Sequence, residues 1–158
     1  MATKFSAKII ENNENGDNRE NESWWQNNPM TYDWDHDLGE IKYNEKYFTA
    51  IDQIFGYGHS LCNNPNWPKG RILENFIPYD ETKDKRVLEV GCGCGLVSSH
   101  LAKSGSMLTS IDLTKQAIET TTERFKLYNL KADIKKMNAE SMGFDDNTFD
   151  FVISWGVI

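Results

Sequence analysis

The sequence predicts an α/β fold built on a parallel sheet with helices on both faces, and three observations carry that prediction. Strand-like and helix-like runs alternate from Arg86 onward. A glycine-rich turn joins the first of those strands to the first of those helices, and an acidic residue ends the second strand. Strands separated by helical segments are the pattern of βαβ crossovers, because two parallel neighbours need a connection long enough to run back along the sheet.

The chain has 158 residues, 39% of them hydrophobic, with five Trp and eight Phe. That is enough apolar material for one core and too little for two. A net charge of -7 argues against a nucleic-acid surface or a polybasic membrane anchor, since both rest on clustered Lys and Arg. Small-molecule partners are expected instead. The opening MATKFSAKII is too short and interrupted for a secretory signal, and no run approaches the roughly 20 apolar residues that span a bilayer, so a cytoplasmic location is expected. Cys62, Cys92 and Cys94 are an odd set without CxxC spacing, which indicates neither a disulfide framework nor a zinc site, and no metal is expected.

Three segments follow in order. Residues 1–22 read as a disordered leader: ENNENGDNRENE, residues 11–22, has no apolar side chain with which to offset the entropy of ordering it. Residues 23–80 read as an N-terminal helical and aromatic arm that caps the body as a lid. In SWWQNNPMTYDWDHD, Trp24, Trp25, Tyr32 and Trp34 stand among turn formers. That composition suits an extended segment laid across a core or a pocket mouth, either pinning the arm down or touching a substrate. Tyr43, Tyr47, Phe48, Ile51, Ile54 and Phe55 share one helical face, which Gly56 ends. Pro65, Pro68, Gly70 and Pro78 break any period between Gly58 and Asp80, apart from a short helical piece around Arg71 to Phe76. Residues 81–158 form the body: RVLEV, LVSSHLAKSG, MLTSID, a helix from about Thr114 to Tyr128, ADIKKMN and the apolar FDFVIS.

Gly91, Gly93 and Gly95 stand between a strand and a helix, where parallel α/β sheets bind ligands at the carboxyl ends of their strands. Without side chains there, backbone approaches a bound molecule closely and a positive φ costs little. Cys92 and Cys94 read as small fillers between the glycines, with catalytic thiols as the alternative that no neighbouring His or basic residue supports. Glu89 is a carboxylate in an apolar strand, so it needs either a positively charged ligand group or a hydrogen bond from the loop backbone. Asp112 lies 21 residues after Gly91, where an acid accepts from the hydroxyls of a ribose; its alternative is to help start the next helix. Loop and acid together favour a nucleoside ligand. The dinucleotide fingerprint GxGxxG wants a third, close-packing glycine where this chain has Leu96, which leaves GxGxG.

These motifs, VLEVGCGCG, SIDLT and MNAESMGFDDNTFDFVISWGV, resemble the class I S-adenosylmethionine-dependent methyltransferases. The likeness is greatest to small bacterial small-molecule enzymes similar to the quinone-biosynthesis C-methylases, and covers about Arg86 to Ile158. It implies a Rossmann-like sheet, S-adenosylmethionine as cofactor and a small-molecule methyl acceptor. It implies that Gly91, Gly93 and Gly95 hold the methionine and ribose part, with Glu89 near the amino group and Asp112 on the ribose hydroxyls. Leu113 would lie against adenine, and Ala139 would offer its backbone N–H to the ring. Asn138 stands where the family usually has an Asp that accepts from the adenine amino group, a task an amide oxygen also performs. Asp150 and Phe149 would order the start of the fourth strand. Ser154 and Trp155 would point toward the sulfonium, where an aromatic face favours a cation; for Trp155 plain packing is the alternative. The catalytic residue is left unassigned: His36, His59 and His100 form no constellation, and His100 reads as exposed.

The family's sheet runs 3-2-1-4-5-7-6, so the C-terminal strands are expected to be absent after FDFVIS. That edge would be left open for the rest of a longer product or for another chain, making an oligomer through the exposed strand a further expectation. Three rivals stand beside this reading: a nicotinamide oxidoreductase, a non-catalytic cofactor-binding fragment, and an interaction module.

Overall fold

The computed structural model describes residues 19–31, 38–39, 42–58 and 70–157. Tyr32, Trp34, His36, His59, Cys62 and most of the expected leader lie outside them. Four helices, α1 (Arg19–Asn27), α2 (Glu45–Gly58), α3 (Leu96–Lys103) and α4 (Lys115–Leu127), accompany four strands. The strands are β1 (Arg86–Val90), β2 (Met107–Asp112), β3 (Asp133–Lys136) and β4 (Phe151–Ser154). They form one sheet in the order β3-β2-β1-β4. All pairings are parallel, with Val87 opposite both Leu108 and Phe151.

Register divides the side chains between two faces. Val87 and Leu108 join α2, α3 and α4 in the larger core, where Phe48, Ile51, Leu101 and Phe125 are buried. Leu88, Val90 and Ile111 point the other way, where Met137, Ala139, Phe144 and Phe149 cover them. Chain handedness explains the division. The steps β1 to β2 and β2 to β3 run in one direction, so their right-handed crossovers put α3 and α4 on the same face. The step β3 to β4 runs back, so residues 137–150 cross the opposite face. They do so with a short 3-10 turn, Ala139–Ser141, and an edge-to-face Phe144–Phe149 pair at 4.9 Å instead of a helix. The expectation of helices on both faces is therefore met on one face among the described residues. On the other, Val152 is 62% exposed. β4 is an edge strand, and its start is pinned to β1 because the Asp150 carboxylate accepts from the backbone N–H and guanidinium of Arg86.

Two expectations about the arm change. Residues 19–22, placed in the leader, and residues 23–27, placed in an extended segment, form the single helix α1. No residue of α1 is buried, which is why its composition gave no helical signal of burial. Polar tethers hold it: Glu22 pairs with Lys136 on β3, and Gln26 Oε1 accepts from the Gln116 N–H at 3.2 Å. The Arg71–Phe76 piece is a run of turns, with Leu73 at a φ of 54° that interrupts any helix.

The aromatic face of α2 is core, as its spacing requires, and one ion pair locks it to α4. Arg124, 1% exposed, donates to Asp52 at 2.7 and 3.1 Å and lies 4.5 Å above the Phe48 ring. A buried guanidinium deprived of its carboxylate is a large penalty. Asp52→Ala is expected to lower the free energy of unfolding by about 3 kcal/mol, measured by urea denaturation; a midpoint equal to wild type would show the pair to be dispensable.

Candidate functional site

The sheet order reverses at β1, whose neighbours β2 and β4 are reached by connections on opposite faces, and this opens a crevice at the carboxyl ends of the strands. A cavity of about 260 Å³ occupies it. Its walls come from the β1–α3 turn, the ends of β2, β3 and β4, helices α1 and α2, and the segment after α1. Eight of the ten residues assigned from sequence line it: Glu89, Gly91, Gly93, Asp112, Leu113, Asn138, Ala139 and Trp155. Gly95 and Ser154 are not among its walls.

The three glycines differ in what they face. All have positive φ, but a Cβ at Gly93 would meet nothing within 4 Å, so that position looks into open cavity. A Cβ at Gly91 would lie 2.0 Å from the Val157 side chain. At Gly95 it would come within 2.9 Å of Thr121 on α4, so this glycine serves the close approach of α3 to α4. The close-packing role that a dinucleotide fingerprint gives to the position of Leu96 is thus taken one residue earlier.

Glu89 takes its protein hydrogen bonds from serines. It is 4% exposed, and its Oε2 accepts from Ser98 Oγ on α3 and, at 3.3 Å, from Ser110 Oγ on β2. Burial pushes its ionisation up to about 7 against the two serine hydrogen bonds, which pull it down, and the nearby Asp112 charge pushes it further up. Two serines on inward positions were the legible clue, since a buried carboxylate needs donors.

Asp112 accepts three hydrogen bonds from the protein. Its Oδ2 accepts from the Gly93 N–H at 3.0 Å, and its Oδ1 accepts from the Thr114 N–H at 2.9 Å and the Thr114 hydroxyl at 3.0 Å. Thr114 in turn caps α4 by accepting from the Ala117 N–H. A carboxylate offers about four acceptor sites, so one remains, on Oδ2 beside Gly93. A ribose would find one acceptor there rather than two.

Asn138 caps the 3-10 turn, its Oδ1 accepting from the Glu140 N–H at 2.9 Å. Trp155 lines the cavity, and its ring stands 6.2 Å from that of Phe76. Ser154 follows the opposite alternation to Ile153 and Trp155, and its buried Oγ has no hydrogen-bond partner among the described residues. Cys92 and Cys94 are free, buried thiols whose ionisation burial pushes up, as suits fillers rather than nucleophiles. His100, expected to be exposed, is half-buried beside Tyr79, and burial drives its ionisation down to about 4. The walls also include Trp25, Pro29, Met30 and Thr31, from the segment that the sequence laid across a core or a pocket mouth, Asn21 from the expected leader, and Tyr47 and Phe55, which the sequence placed in the core.

The fold is a Rossmann-like α/β domain with a cavity at its switch point. Residues 87–158 match the family model of a methyltransferase domain, so this part of the chain is similar to the class I S-adenosylmethionine-dependent methyltransferases. A ubiquinone biosynthesis O-methyltransferase of Rickettsia typhi is 35% identical over 88 residues, 55% of this chain and 35% of that protein. One from Parvibaculum lavamentivorans is 33% identical over 76 residues, 48% of this chain and 30% of that protein. Both are named as O-methyltransferases, where the sequence likeness pointed to C-methylases. The chain spans about a third of the length of these curated relatives. A solved structure from Methanococcus maripaludis, described as a putative S-adenosyl-L-methionine-dependent methyltransferase, shares the fold. It has a TM-score of 0.52 and 24% identity, covering 75% of this chain and 53% of that one.

S-adenosylmethionine, the cofactor of that family, fits the groups present. Glu89 is a buried carboxylate, and the cavity walls include no Lys, Arg or His among the described residues, which suits a ligand bearing an ammonium and a sulfonium. Asp112 retains an acceptor site, and Gly93 leaves room for close approach.

Proposed function

We propose that the protein transfers a methyl group from S-adenosylmethionine to a small-molecule acceptor. The observation that carries this reading is the convergence of Glu89, open Gly93 and Asp112 on one cavity at the switch point of the sheet. When bound, the cofactor supplies a methyl group already activated on a sulfonium, so the protein's share is positioning and exclusion of water, with a base only where the acceptor must lose a proton. Asp112 would receive a ribose hydroxyl on Oδ2, and Glu89 would offset the charge of the amino group. Leu113, Asn138 and Ala139 would enclose the purine, and Trp155 would face the reacting end.

Met30, Tyr47 and Phe55 are aromatic or apolar walls, and no wall among the described residues brings a cation. They suit an uncharged, planar acceptor better than an anionic one, in keeping with the quinone precursors implied by the names of the curated relatives. Among the described residues no helix is long and apolar enough to cross a membrane. A cytoplasmic location, and pairing of the β4 edge with another chain or another part of the protein, belong to the same proposal.

Titration with S-adenosylhomocysteine in a calorimeter, with circular dichroism to verify folding, tests the cofactor site; release of S-adenosylhomocysteine in the presence of phenolic acceptors tests turnover. Gly93→Val is expected to remove measurable binding, because its side chain enters open cavity. It should cost about 1–2 kcal/mol of stability, since φ stays at 52°. Normal binding in that variant would place the ligand elsewhere.

A further inference from the structure

We propose that Trp25 is a cofactor-contacting residue: α1 lays its indole over the nucleoside half of the cavity, and a bound purine fixes α1 to the sheet. This rests on the methyltransferase reading and adds to it a residue of the arm. Asn21 and Trp25, one helical turn apart, both line the cavity. Their neighbour Trp24 does not; it is 52% exposed and meets Trp25 edge to face with centroids 4.5 Å apart.

The tethers of α1 fall beside the groups that would surround a purine. Glu22 pairs with Lys136, which ends β3 immediately before Met137 and Asn138. Gln26 Oε1 accepts from the backbone of Gln116 in the first turn of α4, three residues after Leu113. α1 therefore bridges the ends of β2 and β3, over the space between Leu113 and Ala139. Both tethers are polar, and the Glu22–Lys136 pair is largely solvent-accessible, with the lysine side chain 50% exposed. Such a pair contributes little.

A nine-residue helix with no buried residue is marginal by itself. Trp25 is only half-buried, so part of its ring surface remains for the cavity. An indole face stacked on a purine supplies the missing stabilisation for both partners, and a base stacked on an aromatic side chain is worth about 1–3 kcal/mol.

The test is calorimetric titration of the full chain with S-adenosylhomocysteine and with adenosine, using Trp25→Leu, Trp25→Phe and Trp24→Leu. Trp25→Leu should weaken both ligands about ten-fold, the lower part of the range for stacking. Trp25→Phe should recover most of the loss, and Trp24→Leu should match wild type. Hydrogen exchange should show residues 19–27 gaining protection when either ligand saturates the wild-type protein, a response that a merely structural tryptophan would not produce. If wild type binds but Trp25→Leu binds equally well, or α1 gains no protection, the assignment of Trp25 is overturned while the cofactor site stands. If wild type binds neither ligand, both fall.

Discussion

Glu89→Gln is expected to make the protein more stable at pH 8 and a poorer binder of S-adenosylhomocysteine. The carboxyl ionises near 7 in the fold against 4.5 as its ordinary value, with burial the main cause. A raised carboxyl pKa means that the native state holds its proton longer than the unfolded chain. The contribution of this group is fully present below pH 4.5 and is lost as pH rises through 7, reaching about 3 kcal/mol for 2.5 units at 1.36 kcal/mol each. Among the groups that face Glu89, Asp112 repels its charge, while the hydrogen bonds from the Ser98 and Ser110 side chains and from the Ser98 backbone relieve the burial penalty only in part. Glutamine keeps an acceptor for those hydroxyls and carries no charge. The variant should therefore gain about 2 kcal/mol at pH 8, roughly 5 °C in Tm, and nothing at pH 4.5. It should bind S-adenosylhomocysteine about ten-fold more weakly at pH 8, having lost a charge-assisted partner for the ammonium. Thermal unfolding by circular dichroism at both pH values, with calorimetry, reads all three. A variant less stable than wild type at pH 8 and equal to it in affinity would show that Glu89 is a structural carboxylate, ionised and satisfied by its serines.

Asp112→Ala should lose on both counts, and this contrast separates the two acids. The substitution removes the acceptor for three protein donors, the Gly93 N–H and the Thr114 N–H and hydroxyl, along with the site left for a ribose hydroxyl. Binding of S-adenosylhomocysteine is expected to fall by about 1–3 kcal/mol for the ligand hydrogen bond alone, and further because the glycine turn loses its anchor to β2. Without ligand, stability should fall by about 1–2 kcal/mol, chiefly from the start of α4, where Thr114 depends on Asp112 for its orientation. Asp112→Asn resolves the contributions. Its amide oxygen can serve Thr114 while its NH2 opposes the Gly93 N–H, so stability should be largely restored and binding should not. If Asp112→Ala retained full affinity, the acid would be a capping residue and the nucleoside would lie elsewhere.

Much of the body was legible because its signals are local. RVLEV and MLTSID read as strands and became β1 and β2, and the apolar spacing from Tyr43 to Phe55 became the buried face of α2. The turn from Gly91 to Gly95 and the acid at Asp112 were visible as residue types whose backbone freedom and charge have few other uses at the end of a strand. Helix α1 was not legible, since Arg19 to Asn27 bury nothing and leave no periodic apolar stripe. The second face of the sheet was not legible either. Residues 137–150 carry aromatic residues but no helical period, and the handedness of the return to β4 placed them there.

The sequence by itself determined the parallel α/β class, the glycine turn, the acid that ends β2 and the likeness of residues 87–158 to a methyltransferase domain. Only tertiary structure decided what each of these residues meets. It gave Glu89 the hydroxyls of two serines, turned Gly95 toward Thr121 instead of the cavity, and left Asp112 a single acceptor site. It also brought Gln26 to Gln116 across 90 residues and set Trp25 on the cavity wall. Strand and helix formation respond to neighbours within a few residues, which a sequence displays. Partners of buried charges and the walls of a cavity are chosen by chain crossings between distant segments, and those exist only once the sheet has assembled.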